Sequence, residues 1–175
     1  MSLRTRLKQA SRAIKDAVAS DHDSDEATDI LAMLKQEHDE VKQLLADLQD
    51  ADTAAQRRRL VKEIKAALVP HTKAEEKVVY DAVIRLRDKE AQIDGHEGYL
   101  EHEWASKTLQ RLEAIANTTS PEHRATAKVL KELVEHHIQE EENQVWADVK
   151  QHFSDNQRAR MNIAFLNAKA RVRVA

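Results

Sequence analysis

The sequence predicts an all-α protein: an up-down four-helix bundle of two pseudo-repeated helical hairpins, with an additional N-terminal segment and a short C-terminal helix. Its 175 residues include only two Gly and two Pro, and residues that favour helix predominate. Aromatic residues make up 3% of the chain, which disfavours a strand-rich core. Apolar residues recur every three or four positions through most of the sequence, which is the spacing of amphipathic helices.

The composition excludes several classes of protein. The chain has no Cys, which excludes disulfides, zinc–thiolate sites, iron–sulfur clusters and thiol nucleophiles. No apolar run is long enough to span a membrane, and the basic N-terminus lacks the apolar segment of a secretory signal. We therefore expect a soluble, cytoplasmic protein with one main domain.

Charge is unevenly distributed along the chain. Residues 1–20 carry +4 and residues 158–175 carry +5, so a net charge of −3 leaves −12 for the residues between them. An acidic body argues against a nucleic-acid partner. The basic ends are candidate contacts to a protein partner or to a second copy of the chain.

The chain divides into three regions. Residues 1–27 are a basic amphipathic arm and linker, which either packs on the bundle or contacts a partner or a membrane surface. Residues 28–152 form the bundle, and residues 153–175 form a C-terminal helix and basic tail.

The bundle region predicts four helices in order. They cover about 28–50, 53–88, 97–116 and 121–152, and a fifth helix follows at about 155–171. Pro70 is expected to kink or split the second helix, and residues 94–98, which hold both glycines, predict a loop. Ser120 and Pro121 predict a helix N-cap and first position, and Ser154 or Asp155 is the expected cap of the fifth helix.

The second and fourth helices repeat one pattern. His71 and His137 each begin the pattern H-x-x-x-E-E-x-x-V-aromatic, once in each half of the bundle region. The first and third helices share a Glu-His-acid triplet, which begins at Glu37 and at Glu101. The offset between the two triplets is nearly the same as the offset between His71 and His137. Two hairpins related by a pseudo-two-fold axis are the expected architecture.

Several of the repeated residues fall on apolar helix faces, where a charge is costly. They are His38, His71, Glu75, His102, His137 and Glu141. No Lys or Arg is expected on the same lines, so a bound cation would balance the carboxylates. The alternative is a polar core of internal His–Glu hydrogen bonds. Imidazole and carboxylate ligands without thiolate favour iron, manganese or zinc, and six ligands exceed what one tetrahedral zinc needs.

This order of residues resembles the hemerythrin-like, HHE cation-binding domain, over about residues 28–150. The resemblance implies an oxo- or hydroxo-bridged pair of iron ions, with manganese or zinc as alternatives. All six residues would be ligands, and Glu75 and Glu141 would bridge the ions. Oxygen-carrying members have a fifth histidine, whereas Ser106 and Gly98 stand four residues after and before His102. That leaves nominally one open position on each iron, unless Glu37 or Glu103 fills one.

Residues near these ligands have more than one interpretation. Glu76 and Glu142 are either exposed or bonded to a ligand histidine. Tyr80 and Trp146 are expected to be core residues rather than redox groups or a gate. His136 could compete with His137 as a ligand, but only His137 has the matching glutamate. The remaining histidines, His22, His96, His123 and His152, are expected to be exposed. Trp104 is expected to pack between helices or against the fifth helix.

Three functions remain open at this point. The centre could bind or sense a small ligand (O2, NO or peroxide) or hold iron itself. It could instead be an enzyme that decomposes hydrogen peroxide or performs another oxidation. In the third case the metal only stabilises an interaction module. We favour binding or sensing, and the sequence leaves open whether the protein is an enzyme.

Overall fold

The computed structural model describes residues 28–174, and the basic arm and His22 lie outside them. The described residues form seven α-helices and one π-helical turn, with no strand among them. These are α1 (Ile30–Asp50), α2 (Ala54–Glu75), the π turn (Glu76–Tyr80), α3 (Asp81–Ile84), α4 (Lys89–Ala114), α5 (Pro121–Asn143), α6 (Val145–His152) and α7 (Asp155–Lys169). No helix of the described chain is long and apolar enough to cross a membrane.

The long helices form a four-helix bundle, which confirms the predicted fold class. α1 packs against α2 and α5, and α4 packs against α5 and α2. α3 and α6 continue the second and fourth helices beyond their irregular turns. α7 lies against α1, α2 and the π turn, so the described part of the C-terminal region packs on the bundle.

Polar side chains fix the helix starts. Thr53 and Gln56 form a capping box at α2, and Asp88 caps α4 by accepting from the backbone N–H of Glu90. The predicted Ser120 cap is confirmed, since its hydroxyl accepts from the backbone N–H of His123. Ser154 caps α7, as one of the two predicted candidates.

The sequence predicted that Pro70 would kink or split the second helix, but the helix is not split there. α2 continues through Pro70 to Glu75, and the irregularity follows at the π turn. The fourth helix has its own interruption at Gln144, between α5 and α6. The first irregularity begins at the second glutamate of its repeated pair and the second lies two residues after its pair, so the two hairpins are interrupted at similar places. Turns of π type are frequent at functional sites.

The loop predicted at residues 94–98 was wrong. α4 already begins at Lys89 and runs through both glycines. A Cβ on Gly95 would lie 2.8 Å from Cγ1 of Ile84, and one on Gly98 would lie 2.6 Å from Cζ of Tyr80. The glycines therefore serve close helix packing and not a turn.

Two apolar clusters fill the bundle, one on each side of a polar middle layer. Along α1, Leu34 belongs to one cluster and Val41 to the other, with His38 between them. On α2, His71 separates Leu68 from Ala74 in the same way. The polar layer is thus enclosed by hydrocarbon along the bundle axis, where an uncompensated charge is costly.

One aromatic side chain departs from its predicted place. Trp104, which we expected to be packed between helices, is instead 59% exposed. It therefore contributes little to the described core.

Candidate metal centre

The polar layer contains all six residues that the sequence singled out. None of them is more than 7% exposed. They come from all four long helices: His38 from α1, His71 and Glu75 from α2, His102 from α4, and His137 and Glu141 from α5. The structure therefore brings the whole predicted set together.

The four imidazoles form two pairs, one from each hairpin. In the first histidine pair, the ring centroids of His38 and His71 lie 5.2 Å apart. In the second histidine pair, the ring centroids of His102 and His137 lie 4.6 Å apart, and their Nε2 atoms are separated by 3.0 Å. The two pairs define two positions at which a cation could lie.

Glu75 connects the two histidine pairs. Its Oε2 atom lies 3.2 Å from Nε2 of His71 and 3.4 Å from Nε2 of His102. Potential ligand atoms of Glu75 and the first pair all lie within 4.8 Å of one another, and the same holds for Glu75 and the second pair. Two cations, one at each pair, could share this carboxylate.

Glu141 makes the corresponding connection from the opposite side. Its Oε2 atom lies 3.3 Å from Nε2 of His38 and 3.7 Å from Nε2 of His137. Each carboxylate thus reaches one histidine on its own helix and one on a helix of the other hairpin. This crossed arrangement follows from the sequence repeat that relates Glu75 to Glu141.

The outer nitrogen of each histidine faces a second carboxylate. Nδ1 of His71 lies 3.0 Å from Oε2 of Glu37, and Nδ1 of His137 lies 2.7 Å from Oε2 of Glu101. Both acids begin the repeated Glu-His-acid triplets, but their spacing did not indicate which histidines they contact. Their recurrence at nearly the same offset as the histidines was the signal that could have predicted these contacts. Glu37 also pairs with Lys169 of α7, at 2.6 Å.

Glu142 and Glu76 complete this outer set. Nδ1 of His38 lies 3.0 Å from Oε1 of Glu142, and Nδ1 of His102 lies 3.4 Å from Oε1 of Glu76, the longest of the four contacts. The side chains of Glu76 and Glu142 are 13% and 22% exposed. Of the two interpretations left open, contact with the histidines is therefore the one observed.

The resulting balance of donors and acceptors fits cations. A carboxylate only accepts, so a neutral histidine donates from Nδ1 to its outer partner and leaves Nε2 as an inward acceptor. Within residues 28–174, the carboxylate oxygens of Glu75 and Glu141 have no hydrogen-bond partner other than the facing histidine nitrogens. The inner layer thus presents imidazole nitrogens and carboxylate oxygens to one another, which is the donor set of iron, manganese or zinc.

Without a metal, protons balance part of this charge. Burial raises the pKa of Glu75, but the imidazoles of His71 and His102 outweigh it and hold that pKa well below its usual range. Burial and the neighbouring Glu75 raise the pKa of Glu141. Burial lowers the pKa of His71, but Glu75 and Glu37 prevail and raise it to about 10. Metal binding would therefore release protons.

Neither Glu37 nor Glu103 takes the place of the missing fifth histidine. Glu37 faces the outer nitrogen of His71, and the exposed Glu103 pairs with Lys107. Ser106 lines a surface groove of about 450 Å³ between α2 and α4, together with His102 and Glu76.

Aromatic side chains cover the two histidine pairs differently. Trp146 stacks on His38 with ring centroids 5.8 Å apart, and Phe165 of α7 packs edge-on to His71 at 5.9 Å. Tyr80, the repeat partner of Trp146, packs on His102 at 5.2 Å. Trp146 and Tyr80 are both buried, as predicted, but Tyr80 also places its hydroxyl 3.4 Å from Nε2 of His137.

The other histidines lie outside this centre. The side chain of His136 is 62% exposed and its Nε2 is 3.4 Å from Glu140, which leaves His137 as the inward residue. His96 is exposed, although it lies in α4 and not in a loop. His152 is partly buried.

The prediction of an exposed His123 was wrong. His123 is fully buried, and its Nδ1 accepts from Nε of Arg57 at 3.3 Å. Arg57 is also fully buried, so a cation does lie on the core line of α2, about four turns before His71. Arg57 was not among the residues predicted to lie on that line. Its helical register with His71 and its repeat relation to His123 could have predicted that position.

Helical bundles with buried histidines and glutamates on facing helices form a class of metal-binding proteins, and this chain has those features. A family model, described as the hemerythrin HHE cation-binding domain, matches residues 29–148. The chain therefore belongs to the hemerythrin HHE cation-binding family.

One curated relative is a DNA nickase from Nostoc sp. strain PCC 7120. It is 25% identical over 162 residues, which cover 93% of this chain and 45% of the relative. The chain thus spans less than half the length of that protein. No solved structure matches the chain.

Proposed function

We propose that this protein holds a carboxylate-bridged pair of iron ions and binds a small ligand there, such as O2, NO or peroxide. The proposed ligands are His38, His71, Glu75, His102, His137 and Glu141. The observation that carries the proposal is that Glu75 and Glu141 each reach both histidine pairs, while no other group of the described chain donates to their carboxylate oxygens.

Two ions explain the arrangement better than one. Each histidine pair offers two inward nitrogens, and both carboxylates extend between the pairs. A single ion would use only part of this set and leave the remaining buried acceptors unbalanced. Bundle proteins with two iron or manganese ions likewise use histidines and glutamates that project inward from facing helices.

The chain's own residues would orient the ligands. Each outer carboxylate holds its histidine by Nδ1, which fixes the ring and makes Nε2 the metal-binding nitrogen. Lys169 in turn holds Glu37. The bound ions would supply open coordination positions and electron transfer to a small ligand.

The space at the centre favours a small ligand over an organic substrate. Among the described residues, the cavity that touches both His137 and Glu141 is about 10 Å³, which is room for roughly one water. The larger groove between α2 and α4 reaches His102 and the outer Glu76, and is not lined by either bridging carboxylate.

Nicking of DNA, the activity named for the Nostoc relative, has little support in this chain. Residues 21–157 carry a net charge of −12, which opposes binding to phosphates. We propose that nucleic acid is not its partner, and that the basic ends serve protein contacts or oligomerisation.

The test is exposure of the iron-loaded, reduced protein to O2, NO and hydrogen peroxide in separate experiments, followed by visible absorption. A ligand-binding protein gives a stoichiometric adduct that reverses when the ligand is removed. Rapid turnover of peroxide without a lasting adduct would favour the enzyme. No spectral response to any of the three would contradict both, and would leave a stabilising metal as the remaining function.

A further inference from the structure

Tyr80 is a buried hydroxyl group at the edge of the metal centre. It is fully buried, and its oxygen lies 3.4 Å from Nε2 of His137. Its ring packs on His102 at a centroid distance of 5.2 Å. The hydroxyl therefore lies beside the second histidine pair and not merely in the apolar core.

The π turn explains how the hydroxyl reaches this position. Tyr80 follows Glu75 by five residues, and in a regular α-helix that step places a side chain about 140° around the axis. The wider π turn over Glu76–Tyr80 brings Tyr80 back toward the face that Glu75 occupies. The π turn thus directs this side chain toward the second histidine pair.

Gly98 makes room for the tyrosine ring. It precedes His102 by four residues, so a side chain at position 98 would share the face of His102. A Cβ there would lie 2.6 Å from Cζ and 3.0 Å from Oη of Tyr80. The tyrosine therefore occupies the space into which a ligand from position 98 would extend.

The hydroxyl also needs a partner when metal is bound. In the described structure its hydrogen-bonding contact is Nε2 of His137, the same nitrogen that a metal ion would occupy. A buried hydroxyl that loses its partner is unfavourable. A metal at the second histidine pair would lie next to the oxygen and could replace that partner.

We propose that the phenolic oxygen of Tyr80 is a seventh protein ligand, bound to the metal at His102 and His137. This assignment rests on the proposed metal centre. The phenol releases its proton when the metal binds, as other protonated ligands do. The repeat partner Trp146 offers no oxygen, so the two metal positions differ and only the one at His38 and His71 keeps its nominal open position.

The test is resonance Raman and visible absorption spectroscopy of the iron(III)-loaded full chain, with iron content measured on the same samples. Tyr80 and Tyr99 are the two tyrosines of the chain, which makes Tyr99→Phe a matched control. The hydroxyl of Tyr99 lies 2.9 Å from Asp81 Oδ1 and from the backbone carbonyl oxygen of Glu76, so its hydrogen-bonding partners are not among the six proposed ligands. Both substitutions keep the aromatic ring.

Wild type and Tyr99→Phe are expected to show a phenolate-to-iron charge-transfer band with enhanced tyrosine ring vibrations, and Tyr80→Phe is expected to lose both while still binding iron. If Tyr80→Phe does not fold, a band that persists in Tyr99→Phe assigns the ligand by elimination. Iron in wild type without tyrosinate vibrations would overturn the Tyr80 assignment alone. Absence of iron from wild type would overturn the metal centre and the Tyr80 assignment with it.

Discussion

Two regions of this bundle bury polar side chains at repeat-related positions, and we propose that only one of them holds a metal. The first is the metal centre. The second is the Arg57–His123 pair, about four helical turns earlier along α2 and α5 and therefore about 21 Å away along the helices. In both regions, side chains of one hairpin contact side chains of the other across the bundle.

The two regions differ in their balance of donors and acceptors. Arg57 donates to the backbone carbonyls of Leu48 and Ala51 at 2.8 and 3.1 Å, and to Nδ1 of His123. Burial and the nearby Arg57 lower the pKa of His123, which keeps its imidazole a neutral acceptor. Donors meet acceptors there within the protein.

The metal centre lacks this internal balance. Among the described residues, the oxygens of Glu75 and Glu141 meet no hydrogen-bond donor apart from the inner nitrogens of the histidines. A polar residue on a core line is thus insufficient to predict a metal, and a surplus of buried acceptors is the informative sign. The difference between the two regions can be tested in four ways, which concern metal removal, the Arg57–His123 pair, metal affinity and pH.

Removal of metal is expected to have the largest effect. Binding to the folded state alone stabilises a protein by about 4 kcal/mol when free metal exceeds Kd a thousandfold. Chelation should therefore lower the melting temperature of wild type strongly, as measured by calorimetry. Glu75→Gln with Glu141→Gln is the control, and its melting temperature should not respond to chelator. An unchanged wild-type melting temperature would contradict a metal-dependent centre.

Breaking the Arg57–His123 pair should destabilise the bundle without loss of metal. Arg57→Leu leaves two buried backbone carbonyls and His123 without a donor, and each unsatisfied group should cost about 1–3 kcal/mol. Chemical unfolding of the metal-free protein measures the loss. Addition of His123→Leu should restore part of it, because the remaining polar partner is then also replaced. A loss of metal in Arg57→Leu would show that the two regions are coupled.

The outer carboxylates should increase metal affinity and contribute little to the stability of the metal-free protein. Glu101→Gln weakens the hold on Nδ1 of His137 and should lower metal affinity about 10- to 100-fold. The free energy of unfolding of the metal-free protein should change little. Competition with a calibrated chelator measures the affinity. Glu103→Gln, two residues away and exposed, is the matched control, and an equal loss in both variants would argue against the assigned contact.

The metal-free protein should lose stability as pH rises. The pKa of His71 is 6.5 when unfolded and about 10 when folded. Its protonation therefore stabilises the fold fully below pH 6.5, and that contribution disappears as pH rises through about 10. Urea unfolding between pH 7 and about 10 should show the decline, and the slope should be smaller in Glu37→Gln. A flat profile would contradict a protonated His71.

Helical spacing was sufficient to predict the inner residues of the centre. His38 and His71 lie three or four residues from apolar residues on the same helix face, so their inward direction follows from the sequence. Glu76 remained ambiguous because a step of one residue turns about 100° around the helix. Its contact with His102 depends on the π turn and on the distance between α2 and α4.

Contacts between helices account for what the sequence did not predict. Gly95 and Gly98 indicated a turn, whereas they lie within α4 because Ile84 and Tyr80 pack closely against it. His123 was judged by its place near a helix start, although its buried partner Arg57 lies in the other hairpin. Such pairings depend on how helices dock, which local spacing does not determine.

The most direct test of the central claim is the metal content per chain after anaerobic reconstitution with iron. Elemental analysis would compare wild type with Glu75→Gln plus Glu141→Gln, and with Arg57→Leu. We predict about two ions per chain in wild type and in Arg57→Leu, and almost none in the double glutamine variant. No metal in wild type, or equal metal in wild type and the double variant, would contradict a carboxylate-bridged pair.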